Sequence, residues 1–241
     1  RNWKNRYPVI LDDYWKTTNG VNTYALIATL SELLDQDTIV VPGSSGTCSE
    51  MTLQSFQVKK GQRVLNSPGL GSMGFGMVAA IGACLASGKR PTVCIIGDGG
   101  LQHNIQEMEL LHRYQLPVKI FVLNNNAYAS IRTTQLRHCG GNLVACDPSS
   151  GLTLPDTLKV ADAYGVKSAR ILNPGELKRT VAAVLKVSGP VICEVMIDPE
   201  TTTAPRMASQ VNPDGSIVSK PFEDLWPFLD REEFQANMNE G

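Results

Sequence analysis

Two apolar runs of strand length stand out in the middle of the chain. Thr92-Val93-Cys94-Ile95-Ile96 ends in Gly97-Asp98-Gly99-Gly100, and Val118-Lys119-Ile120-Phe121-Val122-Leu123 ends in Asn124-Asn125-Asn126. Between them Leu101, Ile105, Met108, Leu110 and Leu111 recur at helical spacing, which predicts a helix over 101–115. A helix of about 15 residues runs back roughly 22 Å. A strand of about six residues returns roughly 20 Å. A right-handed crossover therefore brings Asn125 to the same sheet edge as Asp98.

The same reading extends to both sides. A helix capped by Asn19 is expected to run through 31–34, with Val21, Tyr24, Ala25, Ile27, Ala28 and Leu30 as its buried stripe. Thr38-Ile39-Val40-Val41 reads as a strand stopped by Pro42-Gly43, and Met77–Ala86 as an apolar helix. Helices over 158–164 and 174–187 alternate with strands over 168–172 and 191–197. Alternating strands and helices predict a doubly wound α/β fold, a mainly parallel sheet with helices on both faces. The Gly-, Asn-, Ser- and Pro-rich 139–154 reads as a mobile lid, and Pro213-Asp214-Gly215-Ser216 as a turn. The chain opens Arg-Asn-Trp-Lys-Asn-Arg, which reads as a linker over 1–18 from something upstream. The domain proper is then expected over 19–205. A tail over 206–241 is held by Trp226, Phe228 and Phe234 against the domain or a partner subunit.

Composition narrows the function classes. With 22 basic and 23 acidic residues and no basic block, nucleic acid and anionic membrane surfaces are not expected partners. The apolar runs are too short to span a bilayer. Six cysteines form no CxxC pair and three lie inside apolar runs, as reduced core thiols of a cytoplasmic protein do. The three histidines are scattered and share no metal-ligand spacing.

The chemistry therefore sits at the predicted sheet edge. A carboxylate at Asp98, a carboxamide at Asn125 and glycines beside a helix start suit a hard cation bridged to a phosphate. The loop Ser44-Ser45-Gly46-Thr47 follows the first strand; it is either a plain turn or a donor of hydroxyl and N–H groups to phosphate. Gly69, Gly71 and Gly74 spell GxGxxG, the pattern of dinucleotide sites. Its context weighs against that reading. The preceding 63–68 is short, polar and closed by Pro68, unlike a buried first strand. Asp98 lies inside a phosphate-type Gly-Asp-Gly-Gly turn, and the asparagines would have no role.

Gly97-Asp98-Gly99 and Asn124-Asn125, with 27 positions from Asp98 to Asn125, resemble the motif of thiamine-diphosphate enzymes. Gly69-Leu70-Gly71-Ser72-Met73-Gly74-Phe75-Gly76 is similar to a stretch of their acetolactate synthase-like branch. The resemblance covers nearly the whole chain and is strongest over 66–135. It implies the diphosphate-binding domain of a 2-keto acid carboligase. Asp98, Asn125 and the Ala127 carbonyl would hold Mg²⁺, with Ala127 in place of the commoner Gly. Ser44, Ser45, Gly97, Gly99, Gly100 and Tyr128 would surround the diphosphate. The Gly71 carbonyl would accept from the aminopyrimidine beside Ser72, and Met73 would wedge the cofactor into a bent form, unless it is a plain core methionine. A bent cofactor supplies its own base at the thiazolium carbon, which attacks the 2-keto acid; CO₂ leaves, and the remainder passes to a second carbonyl.

Two departures qualify that picture. Acetolactate synthases usually carry a bulky Trp after the metal loop, where this chain has Ile131-Arg132-Thr133-Thr134-Gln135. Arg132 there is either a solvated side chain or one that faces an anionic substrate. The family also needs a glutamate from a pyrimidine-binding domain, usually of a neighbouring subunit, and nothing in this chain resembles that domain. An upstream region and a homodimer or homotetramer are the implied partners, and the isolated chain is expected to be inactive. FAD is not shown by any motif in this chain. A carboligase, a simple 2-keto acid decarboxylase and a catalytically incomplete cofactor-binding fragment remain the three readings.

Overall fold

The computed structural model describes residues 2–43, 46–67, 69–211, 214 and 216–239. In chain order its elements begin with α1 (Asn2–Arg6), α2 (Thr23–Leu33), β1 (Ile39–Pro42), α3 (Gly46–Ser55), β2 (Arg63–Val64) and α4 (Phe75–Ala86). They continue with β3 (Thr92–Gly97), α5 (Asp98–Gln102), α6 (Met108–Tyr114), β4 (Val118–Asn124), α7 (Ala129–His138), α8 (Thr157–Ala163) and β5 (Lys167–Ile171). The last are α9 (Pro174–Lys186), β6 (Val191–Met196), β7 (Ser209–Val211), β8 (Ile217–Ser219) and α10 (Arg231–Asn239). Contacts divide the chain into two units. Ile10–Thr201 forms one, and Arg1–Val9 groups with Thr202–Gly241 in the other, where the sequence reading set limits at 18/19 and 205/206.

The larger unit is the expected α/β fold. Six parallel strands pair in the order β2-β1-β3-β4-β6-β5. Side chains alternate between the two faces, as a strand's period of two requires. Val93, Ile95, Phe121, Leu123 and Cys193 face a cluster containing α2 and α9. Cys94, Ile96, Ile120, Val122 and Ile192 face one built from α4, α5, α6 and α8. Cys48 of α3 lies in the first cluster and Leu101 of α5 in the second. The helices that follow the neighbours β1 and β3 thus leave to opposite faces, which opens a crevice at the carboxyl ends of those strands.

Three local differences from the sequence reading have physical causes. Asn22, not Asn19, caps α2, its Oδ1 accepting the Tyr24 N–H at 2.9 Å. Val21 is held in a parallel bridge to Ile197, its N–H donating to the Met196 carbonyl at 2.8 Å, so the chain stays extended one residue before the cap. The helix expected over 101–115 is broken into α5, a 3₁₀ turn over Ile105–Glu107, and α6. Asn104 interrupts it at φ −141°, its Nδ2 packed so close to Gly74 that a Cβ there would stand 2.3 Å away. The helix α3 has no apolar stripe to announce it. Its small polar residues satisfy themselves internally: Thr52 Oγ1 donates to the Cys48 carbonyl and Ser55 Oγ to the Met51 carbonyl, both at 2.6 Å.

The smaller unit joins the two ends of the chain. Arg6 donates to Asn237 Oδ1 at 3.1 Å and to Glu233 Oε1 at 3.0 Å, and the Tyr7 hydroxyl donates to Glu233 at 2.6 Å. β7 and β8 form an antiparallel hairpin, and Asp224 is buried against Arg231. The turn expected at 213–216 includes Pro213 and Gly215, which lie outside the described residues. Among the described residues no helix is long and apolar enough to cross a membrane.

Candidate functional site

β3 and β4 pair in register from Thr92↔Val118 to Gly97↔Leu123, so both strands end at one level. Asp98 is the next residue on one and Asn125 stands two further on the other. Asp98 is only 4 % exposed. Its Oδ1 accepts the Gly99 N–H at 2.7 Å, and its Oδ2 accepts the Asn125 N–H at 3.1 Å. Burial pushes its carboxyl up to about 6, against the opposing pull of backbone N–H groups from Gly99, Asn126, Asn125 and Ala127.

The three asparagines form a tight turn held by their own side chains. Asn124 Oδ1 accepts the Asn126 N–H at 2.9 Å, and Asn125 Oδ1 accepts the Ala127 N–H at 3.1 Å. Asn126 takes a left-handed φ of +54°, which asparagine tolerates better than most residues. The turn leads to Tyr128, whose N–H donates to the Cys146 carbonyl at 2.8 Å, and then into α7.

Gly97, Asp98, Gly99, Gly100, Asn125, Ala127, Tyr128 and Met73 all line one cavity at this edge. The glycines have distinct surroundings. A Cβ on Gly97 would meet nothing within 4 Å, so the absent side chain leaves open space. A Cβ on Gly99 would stand 2.2 Å from the Tyr128 ring and 3.3 Å from Met73 Cε, so all three residues meet. Gly71, at φ +60°, and Ser72 are not among the lining residues. Ser44 and Ser45 lie outside the described residues, while Gly46 and Thr47 of the same loop line the cavity.

The structure adds residues that the sequence reading did not single out. Gly43 and Gly76 approach so closely that a Cβ on Gly76 would lie 3.1 Å from Gly43 Cα. Ser130 and Ile197 also line the cavity, as does Ile131 of the segment that lacks the Trp. The only signal for the first pair was glycine at a strand end and in a helix start. The Arg132 side chain is exposed, as the solvated reading expects, and its Nε donates to Asp147 Oδ2 at 2.8 Å. Asp147 organises the 139–154 stretch, accepting from Ser149 Oγ at 2.7 Å and the Ser150 N–H at 3.0 Å. Ser149, Arg132 and Ser150 hold its carboxyl down at about 2.

The donor set suits a divalent cation. Among the described residues no group of three or more His, Cys, Asp or Glu is gathered, which leaves one carboxylate with neutral oxygens as the metal-binding chemistry at hand. None of the ion pairs among the described residues involves Asp98, so its buried charge has only N–H partners. Asn125 Oδ1 and the Ala127 carbonyl are hard oxygens on the adjoining turn. The open face of Gly97 leaves room beside them.

The family described as thiamine pyrophosphate enzyme, C-terminal TPP binding domain, matches residues 44–195, which include Asp98, Asn125 and Ala127. The chain is 31 % identical over 191 residues to the acetolactate synthase isozyme 1 large subunit of Escherichia coli (strain K12), covering 79 % of this chain and 33 % of that protein. It is 27 % identical over 206 residues to the acetolactate synthase large subunit of Pyropia yezoensis, covering 86 % of this chain and 34 % of that protein. A probable acetolactate synthase 2, chloroplastic, of Oryza sativa subsp. japonica is 31 % identical over 189 residues, covering 76 % of this chain and 28 % of that protein. The chain thus spans about a third of the length of these relatives. With motif, fold and family match in agreement, the chain belongs to the thiamine pyrophosphate enzymes through their C-terminal TPP binding domain, and is similar to that domain of acetolactate synthase large subunits.

Proposed function

We propose that this chain is the thiamine-diphosphate- and Mg²⁺-binding part of a 2-keto acid carboligase that decarboxylates a pyruvate-like substrate and passes the remainder to a carbonyl acceptor. The observation that carries the reading is the Asp98 carboxylate, buried with no cationic partner among the described residues and tied to the Asn125 turn at the carboxyl ends of β3 and β4. Asp98, Asn125 Oδ1 and the Ala127 carbonyl hold the ion. The backbone N–H groups of Gly99 and Gly100 would meet the diphosphate. The Gly71 carbonyl and Met73 orient the rings, and Met73 Cε already lies against Gly99. Ile131 and Ile197 line the cavity with apolar surface and limit water. When bound, thiamine diphosphate supplies the carbanion chemistry that no side chain of this domain offers.

The remaining requirement is an acid for the aminopyrimidine. It comes from a glutamate on a separate pyrimidine-binding domain, upstream or on a partner subunit, so this chain alone is inactive. Leu70, 90 % exposed beside Gly71, is the apolar surface such a domain would cover. The absence of a bulky Trp after the metal loop, where Ile131 lines the cavity, favours as a second reading a simple decarboxylase with no acceptor.

Calorimetric titration of thiamine diphosphate with Mg²⁺ into the intact enzyme tests the site. Binding is expected to need Mg²⁺ and to be lost in Asp98→Ala and Asn125→Ala; unchanged affinity in either variant overturns the metal assignment. Release of CO₂ from pyruvate with and without added acceptor then separates ligase from decarboxylase. Turnover by the 241-residue chain alone would overturn the division of labour.

A further inference from the structure

A row of polar side chains crosses the carboxyl half of the sheet on the face that carries α8. Glu194 of β6 is 1 % exposed, so its charge is fully committed to protein partners. Its Oε1 accepts from Asn124 Nδ2 at 2.7 Å, and its Oε2 accepts a short hydrogen bond from Arg170 Nε. Arg170 Nη2 continues to Asp156 Oδ2 at 3.3 Å, and Asp156 caps α8. Strand register explains the meeting. Glu194 pairs with Val122 on one side and Arg170 on the other, and Asn124 is diagonal to it on the same face.

Asn124 uses both ends of its amide. Nδ2 is held by Glu194, which leaves Oδ1 aimed at the Asn126 N–H. That bond fixes the left-handed residue of the turn, and the turn carries Asn125 and Ala127. A rotation of the Asn124 amide would present Nδ2 to an N–H donor and Oδ1 to a carboxylate, two repulsions in place of two bonds. Resting on the metal site proposed above, we infer that Glu194 is a positioning residue: through Asn124 it fixes the turn that presents Asn125 Oδ1 and the Ala127 carbonyl to the ion.

The test exploits the sign of charge. Glu194→Gln removes a negative charge from the neighbourhood of the metal, and Asn124→Asp adds one. A long-range charge effect would weaken ion binding in the first and strengthen it in the second. The positioning role predicts weakening in both, because each breaks the amide–carboxylate pairing. The double variant restores that pairing in reverse. The new amide at position 194 then donates to the new carboxylate at position 124, which still accepts the Asn126 N–H.

Mn²⁺ affinity of the intact enzyme, read by electron paramagnetic resonance with saturating thiamine diphosphate at about pH 8, is the measurement. Circular dichroism fixes the folded fraction of each variant. Each single variant is expected to lose about tenfold in Mn²⁺ affinity, and the double variant to recover most of it. Asn124→Asp binding as tightly as wild type or more tightly, or a double variant no better than the singles, overturns the inference. So does a lowered melting temperature with unchanged Mn²⁺ affinity. Should Glu194→Gln alone fail to fold, Asn124→Asp at its half-buried position and the double variant still decide. Asp98→Asn serves as reference: if it binds Mn²⁺ like wild type the metal reading itself fails, whereas loss there with intact binding in the other variants sinks only the role of Glu194.

Discussion

The Asn125 N–H donates to Asp98 Oδ2 at 3.1 Å, although the two residues are 27 positions apart in the chain. The two halves of the motif therefore form one structural piece. The carboxylate that would take the metal also pins the turn that would supply the other ligands.

That burial has a pH consequence. The folded pKa of Asp98, about 6, lies above the unfolded value of 3.8, so the folded domain holds this proton more tightly. Without metal, stability falls as pH rises through that interval, and the cost of roughly 3 kcal/mol persists above it. Urea unfolding of metal-free protein at about pH 4 and about pH 7 reads the slope. In Asp98→Asn the loss of stability between those two pH values should be smaller by about 2.4 kcal/mol; an unchanged difference would place the titration elsewhere.

Gly99→Ala should be disruptive beyond its size. The new methyl would stand 2.2 and 2.5 Å from two Tyr128 ring atoms, so the ring must move. A loss of about 1–3 kcal/mol is expected, and truncating the ring in Gly99→Ala/Tyr128→Ala should recover part of it. Thermal unfolding of the two variants and of Tyr128→Ala checks this. A single variant as stable as wild type would mean that the ring yields freely.

Arg132→Met should loosen the segment around Asp147. The folded pKa of Asp147, about 2, lies below the unfolded 3.8, so its bonds stabilise the fold above the unfolded value and are lost as pH falls through the folded one. Without Arg132 the folded value rises toward the unfolded one, so that loss should be smaller and complete at higher pH, and amides of 145–151 should exchange faster at neutral pH. Equal exchange rates in the two proteins would show that Ser149 and Ser150 suffice.

Met73→Ala should separate binding from chemistry in the intact enzyme. Diphosphate affinity should stay near wild type, while exchange of the thiamine C2 proton, followed by NMR in D₂O, should slow. Exchange at the wild-type rate would make Met73 a packing residue only.

Much of the architecture was legible because it rests on periodicity. Val93, Ile95, Phe121 and Leu123 on one face, and Cys94, Ile96, Ile120 and Val122 on the other, are contiguous apolar runs that only a doubly covered strand explains. Asp98 and Asn125 were legible because a strand–helix–strand length fixes where a chain returns. The break at Asn104 was not, since it depends on Gly74, thirty residues earlier in the chain and visible only in three dimensions. The cap at Asn22 depends on Val21 joining the far strand end at Ile197. The role of Arg132 depends on Asp147, in a stretch without periodic signal. Glu194 was hidden for a different reason: a lone acid in an apolar strand gives no sign of its partners, Asn124 and Arg170, until register aligns them.

The bonds from Arg6 and Tyr7 to Glu233 and Asn237 also set an order of events during synthesis. Arg6 leaves the ribosome 227 residues ahead of Glu233. At about 5–20 residues per second that is roughly 10–45 s of translation. Within that interval the complete β1–β6 sheet can form, whereas Arg6 and Tyr7 have none of these partners to bind. The smaller unit is therefore begun before the sheet and finished after it, and a nascent chain arrested before residue 233 would carry the sheet with Arg6 and Tyr7 still lacking Glu233 and Asn237.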